Sequence, residues 1–395
     1  MIEINNIEWL HGSMETLNER PLVPFADEVI EELDALSKAL MKDPASRQYP
    51  DVVTFAFFCR RGNLMKLREV FSCQSSVIRL GWGVVFHIAP SNVPVNFAYS
   101  VVAGLLAGNT NVVRVSQKQF PQVDIIVKHM RATNMHRVAV VRYPHESNAN
   151  EVFSGLCNVR VIWGGDATIE TIRKNAIPAR AFDICFADRY SIAAINADKL
   201  TENCILNTEH SKTLAERFYN DTYLFDQNAC SAPHLICWLG EQDNIKKAKE
   251  VFWEAVYDYA KAHYQFQDVM AVDKLTALYK QAVAMPTCEE QTKNNLLRRV
   301  EITELPCDID TFRCAGGYFT ECEVESLDDI APIVTAKYQT LAYYGFEREE
   351  LEAFVQRNRL TGIDRIVPFG ETTTFALTWD GMNLIDKMSR IVSII

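Results

Sequence analysis

Cys230, in the run Phe225-Asp226-Gln227-Asn228-Ala229-Cys230-Ser231-Ala232-Pro233, is the residue of this chain best suited to covalent chemistry. A thiolate placed downstream of a nucleotide-binding α/β block can hold an acyl group as a thioester while a hydride is delivered. The chain has eleven cysteines and no Cys-x-x-Cys pair, which makes zinc knuckles and thioredoxin-like exchange poor readings. A free cysteine is more often a small buried hydrophobe than a nucleophile. Cys230 stands apart through its polar neighbours Asp226, Gln227, Asn228 and Ser231, and through a helix start expected beside it, which would lower a thiol pKa. Cys185, Cys204 and Cys237 sit in apolar runs and read as core. His234 would align with Cys230 on a helix, but Pro233 between them works against a continuous one.

A second set of polar residues follows short apolar runs. In Pro90-Ser91-Asn92-Val93-Pro94, the Asn92 amide can donate to a carbonyl oxygen as that oxygen gains charge; equally, it can be a turn asparagine between prolines. Arg114 stands near the end of the run Asn111–Val115 and can bond a ribose or its phosphate, or simply face solvent. Ser116, Gln117 and Lys118 follow without an acid. NAD sites usually hold the ribose hydroxyls with a carboxylate here, so the run points to NADPH, with NADH as the alternative. Gly164-Gly165 lets backbone approach a pyrophosphate at a helix start, although Asp166 would also serve as an ordinary N-cap.

These groups need a frame. Short apolar runs at 83–89, 111–115, 137–142, 159–163, 182–186 and 191–195 alternate with helical stretches at 94–107, 121–133, 147–156 and 167–175. That rhythm predicts an α/β fold with a doubly wound parallel cofactor-binding sheet, its ligand at the carboxyl ends of the strands, plus a second α/β catalytic domain. Earlier, Val29, Ile30, Leu33, Leu36 and Leu40 have helical spacing. Later, long helices are expected at 198–218, 244–264 and 268–284, with strands near 300–302, 317–319 and 339–344. The expected division is a cofactor-binding domain over 1–200 (its first 75 residues a helical part), a catalytic domain over 201–370, and a C-terminal segment over 371–395. The apolar end Arg390–Ile395 is expected to pair in a sheet, as an oligomerisation strand of a dimer or tetramer.

Bulk properties agree. A chain of 395 residues suits two domains. At 48% hydrophobic and 23% charged it has the composition of a soluble globular protein. A net charge of −11 argues against nucleic acid as a partner. The longest apolar stretch, Ala89–Gly108, is broken by Pro90, Ser91, Asn92, Pro94, Asn96 and Ser100, against a membrane span. Glu3 and Glu8 stand where a signal peptide would carry positive charge, and the scattered cysteines suit reduced thiols; both point to the cytoplasm.

Pro90-Ser91-Asn92-Val93-Pro94, Leu106-Ala107-Gly108-Asn109 with Arg114, Gly164-Gly165, and Asp226-Gln227-x-x-Cys230 together resemble the aldehyde dehydrogenase superfamily in order and spacing. More closely, the chain resembles the LuxC-type acyl-CoA reductases (fatty-acid reductases) of bacterial luminescence. Asp188-Arg189-Tyr190-Ser191, Cys230–Pro233, Gln339-Thr340, Gly362–Pro368 and Trp379-Asp380-Gly381 carry that likeness, from about 80 to 390. It implies an acylated Cys230, an oxyanion held by Asn92 and the Cys230 N–H, Arg114 in place of a ribose-binding lysine, and Gly164 and Gly165 near the cofactor phosphates. It also implies an acyl-CoA or acyl-carrier thioester as substrate and an acyl-transfer or acyl-activating protein as partner. The position of the water-activating glutamate of acid-forming aldehyde dehydrogenases falls on Ile184 or a neighbour such as Cys185, which carry no carboxylate; Asp183 and Asp188, a few residues off, are the candidate stand-ins. The favoured expectation is NADPH-dependent reduction of an acyl thioester to the aldehyde through S-acyl-Cys230. Its rivals are an aldehyde dehydrogenase forming free acid, a Cys230–His234 acyltransferase or thioesterase, and a non-catalytic relative.

Overall fold

The computed structural model describes residues 4–74, 77–204, 208–285, 288–291 and 294–395. They form two compact units, Met1–Asp188 with Phe375–Ile395, and Arg189–Thr374.

The first unit is built on strands β1 (Glu8–His11), β2 (Ile78–Gly81), β3 (Val84–Ile88), β4 (Thr110–Arg114), β5 (Val138–Arg142), β6 (Val159–Trp163) and β7 (Phe182–Phe186). Six of them form one sheet in the order β1-β5-β4-β3-β6-β7. All neighbours are parallel except β1 against β5. The inner strands are continuous apolar runs because helices cover both faces. Helices α1 (Asp27–Lys42), α2 (Pro50–Phe58), α3 (Arg61–Gln74), α4 (Asn96–Leu106) and α5 (Pro121–Ala132) precede α6 (Ala149–Leu156) and α7 (Asp166–Arg173). One apolar cluster gathers the buried side chains of α1, α4 and α5, and another those of α6 and α7. The α1 stripe read from the sequence is the buried one. α4 stops where Gly108 takes φ +89°, a left-handed turn that costs glycine little.

The C-terminal residues return to this unit. Ser389–Val392 pairs antiparallel with β2 of the same chain, from Ser389 opposite Gly81 to Val392 opposite Ile78. Leu384, Ile385 and Met388 join the core beside α4. The division expected near 200 falls instead at Asp188/Arg189, and Phe375–Ile395 belongs with the first unit rather than standing apart. The reason is pairing: the strand at 190–196 belongs to the second sheet, which no local pattern could say.

A polar knot lies inside the first unit. His87 on β3 is fully buried, with Nδ1 2.7 Å from Ser100 Oγ and Nε2 2.9 Å from Asn111 Oδ1. The Trp163 indole N–H donates to the same Ser100 hydroxyl at 3.0 Å. Burial pushes the His87 pKa from 6.5 down to about 4, against the opposing bond to Asn111. Between those values the unfolded chain binds a proton that the folded chain refuses. Stability from neutral His87 is therefore full above pH 6.5 and lost as pH falls toward 4, by a total on the order of 3 kcal/mol. Urea unfolding at pH 7 and pH 4.5 checks this, and His87→Gln should reduce the difference.

The second unit holds β8 (Tyr190–Asn196), β9 (Pro233–Leu239), β10 (Glu289–Glu290), β11 (Arg298–Ile302), β12 (Tyr318–Glu323), β13 (Tyr338–Tyr344) and β14 (Arg365–Pro368). Their order is β10-β11-β12-β9-β8-β13-β14. Every pair is parallel except β10 with β11. The helices are α8 (Ala197–Cys204), α9 (Thr208–Asp221), α10 (Gln242–His263), α11 (Asp268–Ala284) and α12 (Arg348–Asn358). The helix expected over 198–218 corresponds to α8 and α9, with 205–207 outside the described residues. The helix start expected at Cys230 is absent: the chain runs through turns into β9, a strand missed in the sequence. β9 is buried throughout and lacks alternation, and its Pro233 sits at the first position, where a missing N–H is tolerated. No helix among the described residues is long and apolar enough to cross a membrane.

Candidate active site

In the first unit, the candidate residues collect on one edge of the sheet. β3 lies between β4 and β6, so the chain leaves its carboxyl end to one side and later returns on the other. Such a switch point opens a crevice beyond the strand ends. Pro90, Ser91 and Asn92 follow β3, with Ser91 and Asn92 exposed. Arg114 is the last residue of β4; its guanidinium lies 5.0 Å from the centre of the Tyr143 ring, and its Nε is buried without a hydrogen-bond partner among the described residues. Ser116 is held from behind by Arg142, whose Nε donates to its carbonyl at 3.1 Å, while the Ser116 hydroxyl accepts the Lys118 N–H at 3.1 Å. Gln117 and Lys118 are exposed. Gly164 donates its N–H to the Phe186 carbonyl at 3.1 Å, and Gly165 precedes α7 with open space where a Cβ would stand. An unpartnered guanidinium nitrogen, an uncrowded glycine and a helix start on one carboxyl edge fit the phosphates and ribose of a dinucleotide. Arg142 escaped the sequence reading; the available signal was that it ends β5 as Arg114 ends β4.

In the second unit, Cys230 is half-buried at the opposite kind of edge, where parallel strands begin. It lies three residues before Pro233, the start of β9. Ser191 near the start of β8 donates its hydroxyl to the Cys230 carbonyl at 2.7 Å and accepts the Thr340 N–H of β13 at 3.1 Å. Gln339, at the start of β13, donates its side-chain amide to Cys230 Sγ at 3.3 Å. Arg365 begins β14, and its guanidinium binds the carbonyls of Glu371, Thr372 and Thr374 at 3.0, 2.9 and 2.6 Å. Burial lowers the Arg365 pKa from its ordinary value, opposed by the charges of Glu371, Asp221 and Cys230. Asp221 anchors that loop through the N–H of Gly370 at 2.7 Å and the N–H and hydroxyl of Thr372 at 3.0 and 2.8 Å. Its own burial pushes the carboxyl up to about 6, against the lowering effect of those bonds. Arg189 ties the strand starts together, donating to the Lys337 and Tyr338 carbonyls at 3.2 and 2.8 Å and to the Asp364 carboxylate.

The polar neighbours of Cys230 do something other than the sequence suggested. Asp226 and Gln227 are consecutive left-handed residues, at φ 53° and 60°. Asp226 accepts from the Tyr264 hydroxyl at 2.7 Å. Gln227 is buried, donates to the carbonyls of Pro233 and Tyr318 at 2.9 and 3.0 Å, and accepts the N–H groups of Gly317 and Tyr318 at 2.9 and 3.1 Å. Both build the loop that presents the thiol. Gln227→Ala removes four hydrogen bonds to buried main-chain groups and should cost roughly 3 kcal/mol or more in urea unfolding.

Other sequence expectations resolve as follows. His234 lies on β9 with its ring stacked 5.7 Å from that of Tyr190, so the helical alignment with Cys230 does not form. Cys237 is buried, and burial holds its thiol well above the ordinary range. Cys185 is only partly buried. The Cys204 side chain lies outside the described residues. Asp183 is committed to Arg160, with contacts of 2.8 and 3.1 Å, and to Arg173 at 3.3 Å.

This is the fold of aldehyde dehydrogenases. A variant of Thermus thermophilus 1-pyrroline-5-carboxylate dehydrogenase superposes with a TM-score of 0.64 at 11% identity, covering 97% of this chain and 84% of that one. Lactaldehyde dehydrogenase from Escherichia coli superposes with a TM-score of 0.62 at 11% identity, covering 92% and 85%. Among curated proteins, the long-chain acyl-protein thioester reductase of Vibrio harveyi is 23% identical over 329 residues, which are 79% of this chain and 64% of that relative. The match thus spans less than two thirds of the relative's length. The motifs that meet around Cys230 (Arg189 to Ser191, Gln339-Thr340, Asp364-Arg365) all lie within residues 67–391, the stretch matched by the acyl-CoA reductase (LuxC) profile; the chain belongs to that family.

Proposed function

We propose that this protein reduces an acyl thioester to the aldehyde with NADPH, through a covalent S-acyl-Cys230 intermediate. The observation that carries the reading is the seat of Cys230: its carbonyl clamped by Ser191 and its sulfur met by the Gln339 amide, at the meeting point of the family's motifs. The Cys230 thiolate attacks the thioester carbonyl; a new C–S bond forms, and the carrier thiolate leaves and takes a proton from solvent. NADPH supplies the hydride when bound, with Arg114, Ser116, Gln117, Lys118 and the Gly164–Gly165 turn as the residues that would hold it, beside Pro90 and Ser91. The absence of a carboxylate in 116–119 favours the phosphorylated dinucleotide. Asn92 and the Cys230 N–H are the proposed oxyanion donors. When the thiohemiacetal collapses, Cys230 leaves as thiolate and the aldehyde is released.

The acid-forming reading needs a carboxylate free to activate water near 184. Of the two stand-ins, Asp183 is bound between Arg160 and Arg173, which leaves Asp188 as the carboxylate that reading would have to use. The proposal is tested by intact mass after mixing the protein with an acyl-CoA, or with an acylated carrier protein, in the absence of NADPH. A stoichiometric acyl adduct, converted to aldehyde when NADPH is added, is expected. Steady turnover of aldehyde with NADP⁺ to free acid, without an adduct, would support the alternative.

A further inference from the structure

We propose that Gln339 stabilises the Cys230 sulfur as a thiolate, both when it attacks and when it departs; this rests on Cys230 being the acylated residue. Gln339 is 2% exposed, and its Nε2 lies 3.3 Å from Sγ. The orientation of the amide follows from its neighbour: the Thr340 hydroxyl donates to Oε1 at 3.4 Å, which turns the NH₂ end toward the sulfur. Gln339 and Thr340 are consecutive on β13, and each holds one part of Cys230. Gln339 meets the sulfur, while the Thr340 N–H binds Ser191, which binds the Cys230 carbonyl. The donor to the sulfur and the group that clamps the Cys230 carbonyl through Ser191 are thus both built on β13.

The chemistry follows from the donor being neutral. As the thiol ionises, its proton passes to solvent, and the amide N–H then donates to a full negative charge, a stronger bond than to a thiol or thioester sulfur. Acylation removes that charge and weakens the bond. Collapse of the thiohemiacetal returns the C–S electron pair to Sγ, and the bond is regained as the aldehyde leaves. No proton need reach the sulfur at either stage. A thiol so placed needs neither the helix start expected from the sequence nor a histidine partner. Arg365, fixed by three carbonyls one strand further on, adds a fixed positive charge nearby.

The test is the pH dependence of iodoacetamide alkylation, read by mass on the peptide carrying Cys230, in the full chain and in Gln339→Leu and Gln339→Glu. The midpoint should rise by about one pH unit or more in Gln339→Leu. It should rise further in Gln339→Glu, where a carboxylate faces the thiolate. Above the midpoint both variants should react at least as fast as the wild type, because a more basic thiolate is more nucleophilic. Midpoints that coincide across the three proteins would overturn the proposal, since a residue that merely packs lowers the rate at all pH values without moving the midpoint. If circular dichroism shows Gln339→Leu unfolded, the isosteric Gln339→Glu carries the comparison. Loss of the acyl adduct in Cys230→Ala with coincident midpoints would sink the role of Gln339 alone. An adduct that persists in Cys230→Ala would sink the acyl-enzyme reading itself.

Discussion

Cys230→Ala should give no acyl adduct by intact mass and should lower thioester reduction by roughly 10⁴-fold or more. The effect is large because the covalent route ends with the sulfur: alanine leaves no group that can accept the acyl chain and later depart. Removing one donor to a developing oxyanion typically costs only on the order of 10²–10³, and Asn92→Ala falls in that class. Binding of NADPH, read by quenching of protein fluorescence, should be retained in Cys230→Ala, because the residues proposed to hold the cofactor are all left in place. Cys230→Ser should behave like alanine, since a hydroxyl held by an amide N–H remains protonated at neutral pH and attacks poorly. Reductase activity retained in Cys230→Ala would refute the assignment.

Gly104→Ala should destabilise the first unit by about 4 kcal/mol, a loss measured by urea unfolding. Gly104 sits inside α4, where alanine would normally favour the helix. Here a Cβ would fall inside the van der Waals envelope of Asn111 Oδ1 and 3.2 Å from His87 Nε2. Asn111 cannot move aside freely, because its Nδ2 donates to the Asn109 carbonyl at 3.1 Å and its Oδ1 faces His87 at 2.9 Å. The Gly104 carbonyl in turn accepts from Asn109 Nδ2 at 3.1 Å, and Asn109 also reaches the Met388 carbonyl at 2.8 Å. Displacing Asn111 would leave the buried His87 ring short of a partner and strain the tie to the C-terminal segment. Gly155 in α6 is the control: nothing lies within 4 Å of its would-be Cβ, so Gly155→Ala should be neutral or stabilising by about 0.5–1 kcal/mol. Equal effects at both glycines would show that the polar knot does not constrain α4.

The first sheet was legible because its strands are short apolar runs set at regular intervals between helices of ordinary length. β9 was not, because Pro233 opens it and the polar run Asp226–Ser231 ahead of it drew a helix start instead. β1 was also missed: four residues pairing with β5 from more than a hundred positions away leave no local mark. Among the polar residues near Cys230, composition suggested activation of the thiol. The structure shows Asp226 and Gln227 spending their hydrogen bonds on the loop itself, with the sulfur served by Gln339, more than a hundred positions downstream.

The residue types, their order and their spacing in the chain determined the family and the α/β class, and they single out Cys230 among eleven thiols as the candidate nucleophile. Those are properties of short segments, and short segments carry their own periodicity and turn chemistry. Only the tertiary structure decided what surrounds the sulfur, because β8, β9, β13 and β14 bring Ser191, Cys230, Gln339 and Arg365 to neighbouring strand starts through parallel pairings between distant stretches of chain. A parallel pairing is made by main-chain hydrogen bonds that are the same for every side chain, so its register is written nowhere in the segments it joins.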